Sequence, residues 1–455
     1  MMDFAKSDSP AVQAQLDRLG ALSVPDGRLG LETIRALLDR LGNPQRSLPP
    51  VFHVAGTNGK GSTCAFLRAM LEADGKRVHV TTSPHLVRYN ERIRLAGKLI
   101  EDDALAALLE EVLDAGEDLN PSFFEVTIAA AFLAFSRTPA DVCVVEVGLG
   151  GRFDATNVIE HPAVCGIAAL GIDHERFLLA PEEGTPDDPI ARIAFEKAGI
   201  AKPGAALVTQ TYAEGANREI RIAAAKHQTP LAMRGDGWNI DVTDRLEYRD
   251  NRGKLDLPLP AMFGEHQAEN AGLAIAMLRN QSILSISNIA MAEGLRRAHW
   301  PARMQRLTDG PLMDIDAGFD IWVDGGHNAN AAAAIRQTLS KESRLINFTE
   351  DGPKISVVLG MLRNKNVAEF IHTIAPITRT LVGVPVPSHD HHEPGAIRAI
   401  AKEAGIAGHG AADDVTSALN MLNTGRPHDE WQPVAVLGSL YLAGEVLRLN
   451  DELPD

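Results

Sequence analysis

Cysteine is scarce in this chain: Cys64, Cys143 and Cys165 are the three present in 455 residues. Widely spaced and set in apolar surroundings, they argue against a disulfide framework or a thiolate metal cluster and read as reduced core residues. Long hydrophobic runs are missing too. The longest apolar patch, Val126 to Phe135, is too short to span a bilayer and contains Thr127. Positive charge is in deficit, with Lys+Arg 44 against Asp+Glu 60 and a formal net charge of -16. That argues against a nucleic-acid backbone as partner, although a local basic loop can still take small anionic substrates. The start, Met1-Met2-Asp3-Phe4-Ala5-Lys6-Ser7-Asp8, has no signal-peptide pattern, and neither a short-period repeat nor a low-complexity segment is present. The expectation is a cytoplasmic protein with no nucleic acid and no membrane as partner. It is long enough for two or three domains with full cores.

What is there begins with His53-Val54-Ala55-Gly56-Thr57-Asn58-Gly59-Lys60-Gly61-Ser62-Thr63. The apolar run Val51–Ala55 reads as a short buried strand, and an amphipathic helix carrying Phe66, Leu67, Met70 and Leu71 begins near Thr63. Glycines in such a turn let backbone N–H groups point at phosphate oxygens. Lys60 supplies a point charge, and Ser62 or Thr63 can reach a metal. The loop departs from the usual phosphate-loop pattern twice: Val54 stands where a glycine is usual, and Gly61 where Ser or Thr follows the lysine. The window predicts a nucleoside triphosphate as ligand.

Strands are predicted at Val51–Ala55, Arg77–Thr82, Asp141–Val147, Ala163–Ala169 and Ala205–Gln210, with helical patterns at Ser62–Ala73, Glu101–Ala115 and Phe123–Phe135. Apolar strands alternating with helices predict a parallel sheet covered on both faces. Residues Leu231–Met262 break the alternation and predict a small antiparallel excursion. Helices follow at His266–Arg279 and at Ser287–Ala298, where Ser287 is a predicted N-cap. A second alternating set begins near Met313, and the domain boundary is placed near Thr308–Pro311. Two α/β domains in series predict a site in the cleft where they face each other, at the C-terminal ends of the strands.

Several strand ends carry polar residues. Asp141–Gly151 ends in Glu146 and a glycine turn, and an acid there can bind the metal that bridges nucleotide phosphates. Arg152-Phe153-Asp154-Ala155-Thr156-Asn157 reads as polar residues lining the same rim. Ser83, in Thr82-Ser83-Pro84-His85-Leu86, can complete a metal shell, and His174, in Asp173-His174-Glu175, can ligate metal. On the residues alone, Lys197 is a helix-end cation with Gly199 as the glycine cap. Asn270 reads either as an adenine contact or as a polar helix-face residue. Arg303 could reach a phosphate. Asp324-Gly325-Gly326-His327-Asn328 reads as a ligand-facing strand end with Asn328 as N-cap.

In this order, these segments resemble the bifunctional dihydrofolate synthase/folylpolyglutamate synthase family of the Mur-ligase superfamily. Its most specific stretches here are Thr82–Leu86, Glu146–Asn157 and Glu196-Lys197-Ala198-Gly199-Ile200. Weaker likeness at Gly360–Lys365 and Gly438–Tyr441 extends the match through most of the chain. The resemblance implies an α/β fold of two domains. Residues 1–309 would form a P-loop ATPase-like parallel sheet with helices on both faces and the pteroate site. Residues 310–455 would form a smaller Rossmann-like domain. It also implies that Gly56, Thr57, Asn58, Gly59, Lys60, Gly61 and Ser62 hold the ATP phosphates, and that Asn270, Arg303 and Asp324 contact ATP. Ser83, Glu146 and His174 would ligate magnesium, joined by Lys197 once carbamylated. The implied catalytic set is Lys60, Glu146, His174, Lys197 and His327, the last near the γ-phosphate or the incoming glutamate. Ser83, Phe123, Phe124, Glu125, Phe153, Asp154 and Ala155 would serve the acceptor site, and Ser439 the glutamate. Cofactors implied are ATP and two Mg2+ ions, with a monovalent cation in addition. Partners implied are dihydropteroate or a reduced folate and L-glutamate, on a monomer.

The sequence departs from the family at Arg176–Pro189, longer than the usual loop after Asp-His, and at Asn364-Lys365-Asn366, where Asp-Lys-Asp is common. The implied reaction is two-step, through an acyl phosphate. A cell-wall Mur ligase is the near alternative, but only about fifty residues precede the loop, too few for a further substrate domain. A switch or motor ATPase would hydrolyse ATP without an acceptor. A regulatory module would survive Lys60→Ala except for nucleotide affinity.

Overall fold

The computed structural model describes residues 7–22, 30–341, 354–424 and 431–455. The leader reading of residues 1–6 lies outside them. The chain forms two compact units, one of residues 1–261, 266–299 and 455, the other of residues 262–265 and 300–454.

In the first unit, helices α1 (Pro10–Gly20) and α2 (Glu32–Arg40) precede β1 (Val51–Ala55), and α3 (Lys60–Ala73) follows it. Then come β2 (Val78–Thr81), β3 (Ile93–Leu95), β4 (Lys98–Leu99), α4 (Asp102–Ala115), α5 (Phe123–Arg137), β5 (Val142–Glu146) and β6 (Val164–Ile167). The next elements are α6 (Glu175–Leu178), α7 (Pro189–Ala198), β7 (Ala206–Thr209), α8 (Glu214–Lys226) and β8 (Leu231–Met233). The sheet order is β4-β3-β2-β5-β1-β6-β7-β8. The six strands from β2 to β8 in that order run parallel, and β3 and β4 add an antiparallel edge. The sheet is therefore mixed, not purely parallel. The β3–β4 edge escapes a sequence reading because its strands are three and two residues long and carry Arg94 and Lys98.

The predicted antiparallel excursion is a three-stranded sheet of β9 (Trp238–Val242), β10 (Leu246–Asp250) and β11 (Gly253–Leu257). Leu231–Met233, placed with it by sequence, instead extends the large sheet beside β7. Helices α9 (Glu265–Arg279) and α10 (Asn288–Arg297) complete the unit, and Ser287 caps α10 through Ala290 N–H. Helix α10 packs on α3, where a Cβ on Gly294 would stand 2.6 Å from Met70 Cα. One core gathers side chains of α1, α2, α4 and α5 with Cys143 and Val145 of β5. A second gathers Ala194, Ala198 and Ile220 with Cys165, Ile167 and Leu207. All three cysteines are free and buried.

The second unit is a six-stranded sheet in the order β12-β13-β17-β14-β15-β16. Its strands are β12 (Gln305–Arg306), β13 (Phe319–Asp324), β14 (Ile355–Leu359), β15 (Thr378–Gly383), β16 (Gly408–Ala411) and β17 (Gln432–Leu437). All neighbours pair parallel except β12 with β13. Helix α11 (Ala329–Ser340) follows β13, capped by Asn328 through Ala331 N–H. No helix among the described residues is long and apolar enough to cross a membrane.

Candidate active site

Four adjacent parallel strands, β2, β5, β1 and β6, point their C-terminal ends the same way. The register pairs Val54 of β1 with Glu146 of β5 and with Gly166 of β6. Ser83, Glu146, the Gly56–Lys60 loop and Asp173-His174 thus leave the sheet side by side, the position at which open α/β sheets place ligands.

The loop after β1 turns on Gly59, at φ +83, the left-handed region that glycine enters without steric cost. A Cβ at Gly59 would also run into Asn270 Oδ1, so Asn270 of α9 rests directly on the loop. Helix α3 starts at Lys60, two residues earlier than the sequence predicts. The N–H groups of Lys60, Gly61 and Ser62 are its first-turn donors, with no carbonyl four residues back inside the helix, and they suit phosphate oxygens. Thr57 and Asn58 are committed differently. Their N–H groups donate to Ala169 O at 2.8 and 3.2 Å, and Thr57 Oγ1 donates to Gly171 O at 2.9 Å. They tie the loop to the end of β6. Lys60 Nζ lies 3.4 Å from Thr57 O and 4.0 Å from Glu146 Oε1.

Glu146 is buried, and its Oε2 accepts from Ser83 N–H at 3.2 Å. Lys60, Asp173, His174 and Lys197 line one small cavity with Gly56 and Gly148. Lys197 stands in the last turn of α7, as the local reading has it, but it is buried. It is 4% exposed, and its Nζ donates to Gly56 O at 2.9 Å. Burial, and then the charge of Lys60, push its pKa down to about 7. Gly199 is the C-cap of α7, as expected, but not in the left-handed conformation that usually selects glycine there. Its φ is -61, an ordinary helical value, and glycine is needed because a Cβ would stand 2.5 Å from Arg152 Cβ.

The stretch 152–157 is not a polar rim. Asp154, Thr156 and Asn157 are buried. Asp154 Oδ1 accepts from Thr156 N–H and Oγ1 at 3.0 and 2.5 Å, and Oδ2 from Leu149 N–H at 2.8 Å. The carboxylate shapes the turn after Glu146 from inside. Thr156 Oγ1 also meets His53 Nε2 at 2.8 Å, and burial pushes His53 down to about 3. Phe124 covers that turn, since a Cβ on Gly148 would meet its ring. Phe123 packs edge-on against Tyr89. Glu125 accepts from Ser122 N–H and Oγ at 2.8 Å and closes the capping box of α5. His85, ambiguous by sequence, accepts from Arg92 Nε at 2.8 Å through Nδ1.

The second unit has its own strand-end cluster. Asp324 Oδ2 accepts from Met304 N–H at 2.9 Å and Oδ1 from Gly326 N–H at 2.7 Å, so it pins the backbone beside Arg303. His327 Nδ1 lies 3.1 Å from Gly325 O. Ser439 is buried and caps the helix Leu440–Leu449 through Tyr441 N–H at 3.1 Å.

Among the described residues, three or more His, Cys, Asp or Glu side chains nowhere gather into a cage. Magnesium does not require one; it is held by one or two carboxylates, water and phosphate oxygens. Glu146, buried at the loop with Ser83 beside it, fits that role. Lys197 as a free amine does not, because it donates a hydrogen bond, and only a carbamate would make it a ligand.

Residues 313–449 match the family described as Dihydrofolate synthetase, C-terminal domain. The chain is 31% identical over 433 residues to the dihydrofolate synthase/folylpolyglutamate synthase of Bacillus subtilis, covering 92% of this chain and 94% of that one. It belongs to the dihydrofolate synthase/folylpolyglutamate synthase family. Among solved structures it resembles Escherichia coli FolC in complex with DHPP and ADP, with a TM-score of 0.81, 29% identity and 98% of each chain covered. It also resembles a bifunctional folylpolyglutamate synthase/dihydrofolate synthase with Mn, AMPPNP and L-glutamate bound, with a TM-score of 0.79, 27% identity, and 97% and 98% coverage.

For a member of this family, sequence reasoning missed two things at the site. The first is the hydrogen-bonded line from His53 through Thr156 to Asp154, whose only signal was a histidine inside an apolar strand. The second is Glu182, which pairs with Arg152 and Arg192 and lies in the long loop after His174. An acidic residue in a long loop carries no local signal of such a role.

Proposed function

We propose that this chain is an ATP-dependent ligase that joins L-glutamate to dihydropteroate and to reduced folates. The observation that carries the reading is the buried Glu146 beside Lys60 at the mouth of the glycine loop, in a chain of this family. A substrate carboxylate oxygen attacks the γ-phosphorus of ATP, the bond to the β-phosphate oxygen breaks, and ADP leaves. The glutamate amine then attacks the acyl carbon of the acyl phosphate. Phosphate departs with the C–O electron pair, the nitrogen loses a proton, and an amide remains.

In this reading the first-turn N–H groups of α3 bind the phosphates. Lys60 offsets the repulsion as one anion approaches another, which aids the transition state more than the ground state. Glu146 and Ser83 would hold magnesium, with His174 close by, and the ion would supply neutralisation of phosphate charge. Lys197 is proposed as a carbamate. Its amine, with a pKa near 7, is substantially neutral at cellular pH, and the neutral form adds CO2 with release of a proton. Asn270, resting on the loop, is proposed to contact ATP, as are Arg303 and Asp324. Asp324 acts by fixing the backbone beside Arg303. Phe123, Phe124, Phe153 and Ala155 are proposed to border the pteroate ring, with Glu125 and Asp154 shaping the helix and turn that carry them. His327 and Ser439 are assigned to the incoming glutamate. A cytoplasmic location belongs to the same proposal, supported by the free buried thiols.

The test is ADP release by the purified protein with dihydropteroate or tetrahydrofolate, each with and without glutamate. Release that requires both acceptor and glutamate is expected. No release with either acceptor would sink the reading, and release that ignores both would favour a simple ATPase.

A further inference from the structure

Beside the cavity that Lys60, His174 and Lys197 share, four charges close on one another. Arg152 Nη1 and Nη2 reach Glu182 Oε1 and Oε2 at 3.0 and 2.5 Å. The same guanidinium holds Glu196 through Nε and Nη2 at 3.1 and 2.8 Å. Arg192 Nη2 bridges Glu182 and Glu196 at 3.0 Å each, and its Nε donates to Leu178 O at 3.0 Å. The Phe195 ring lies under both guanidinium carbons, at 4.9 and 5.6 Å.

The cluster joins three pieces of chain that line the cavity: the turn after Glu146, the helix of Lys197, and the loop from His174 to Asp188. Leu178, whose carbonyl Arg192 holds, packs on Gly150 and lines the cavity with His174. Burial within the cluster is graded. The Arg192 and Glu196 side chains are 5% and 6% exposed, whereas Glu182 is 38% exposed. The inner pair is thus desolvated and costly to break, while the outer carboxylate is open to solvent and to screening by salt. Arg152, and then Arg192, hold Glu182 down to about 2, so it is ionised throughout the physiological range.

We propose that Glu182 and Arg192 are positioning residues for the ligase reaction, together fastening the segment His174–Glu182 against the phosphate loop. This rests on the ligase reading above. Neither residue touches the reacting atoms. Arg192 fixes Leu178 from inside the fold, and Glu182 returns the end of the loop to the same guanidinium and to Arg152. Glu182→Gln removes the charge at nearly constant volume on the exposed side of the cluster, so the loop loosens while the inner pair survives. Arg192→Lys keeps a cation but cannot make the three bonds of the guanidinium at once.

The test uses the full-length protein. For Glu182→Gln, the KM for ATP and the magnesium concentration for half-activation are expected to rise about tenfold, the factor corresponding to 1.4 kcal/mol. The kcat should stay within about twofold, and the melting temperature within about 2 °C, as for a surface change. Arg192→Lys should move KM the same way. Raising NaCl should raise the wild-type KM towards that of Glu182→Gln and narrow the gap. A second readout needs no turnover: trypsin should cut after the exposed Arg176 about tenfold faster in Glu182→Gln, because more of the loop is unpinned at any moment. Equal cleavage rates, an unchanged KM, or a fall in melting temperature large enough to explain the kinetics would each overturn the proposal. Faster cleavage in a protein whose wild type shows no acceptor-dependent ADP release would refute the ligase reading and leave the loop attachment standing.

Discussion

Replacing Lys197 by methionine isolates the cost of keeping its amine inside the fold. The wild-type amine has its pKa lowered from 10.5 to about 7, by burial first and by the charge of Lys60 second. A folded-state pKa below the unfolded one means that, from about pH 7 to pH 10, the unfolded chain binds the extra proton. Stability from this group is therefore fully present above the unfolded pKa and is lost as pH falls through that window. Within it, each pH unit is worth about 1.4 kcal/mol. Methionine has similar length and no charge, so the variant lacks that slope. It also lacks the hydrogen bond from Nζ to Gly56 O, a loss of about 1 kcal/mol at every pH. Urea unfolding of both proteins, in bicarbonate-free buffer so that the amine stays unmodified, gives the difference directly. From about pH 7 to 9 the wild type should gain about 2 kcal/mol on the variant, the slope being only half developed at pH 7, with little further change below pH 6. Parallel curves across that range would refute the claim that the fold holds this amine largely uncharged.

Lys60→Met should leave the fold intact and lower acceptor-dependent ADP release by about a hundredfold or more, as removal of a preorganised charge from a transition state does. An effect of less than fivefold, measured at saturating ATP, would remove Lys60 from the reaction. Gly199→Ala places a methyl group 2.5 Å from Arg152 Cβ with no backbone strain, and should cost about 1–3 kcal/mol in urea unfolding through overpacking alone. A neutral result would show that the turn after Glu146 can retreat from α7.

The parts legible in the sequence were those set by local chemistry. Apolar runs ending in glycine turns located β1, β5 and β6. Capping residues such as Ser287 and Asn328 marked helix starts, because a hydroxyl or amide bonding its own helix is a short-range event. For Lys197 the same logic stopped short: its neighbours in sequence describe the end of a helix, correctly, but say nothing of its burial or of its bond to Gly56 O, 141 positions away. Asp154 read as part of a polar rim because an acid among polar residues is usually solvated. It is buried because the N–H groups of Leu149 and Thr156 need an acceptor inside the turn. The tie from Glu182 to Arg152 and Arg192 was invisible for another reason. Its two partners come from two other chain segments, and the loop that carries it departs from the family pattern on which the rest of the site was read.

The packing of α10 on α3 has a consequence for how the protein is made. The helix that carries Lys60 cannot cover that flank until Asn288–Arg297 has been synthesised, more than two hundred residues later. At about 5–20 residues per second, the wait is roughly 10–50 s on the ribosome. During it, Met70 and its neighbours present an apolar surface to whatever is nearby. The nucleotide loop can close early, while the ground beneath it is laid late. Ribosome-bound chains ending before residue 288 are thus the ones that should need a chaperone.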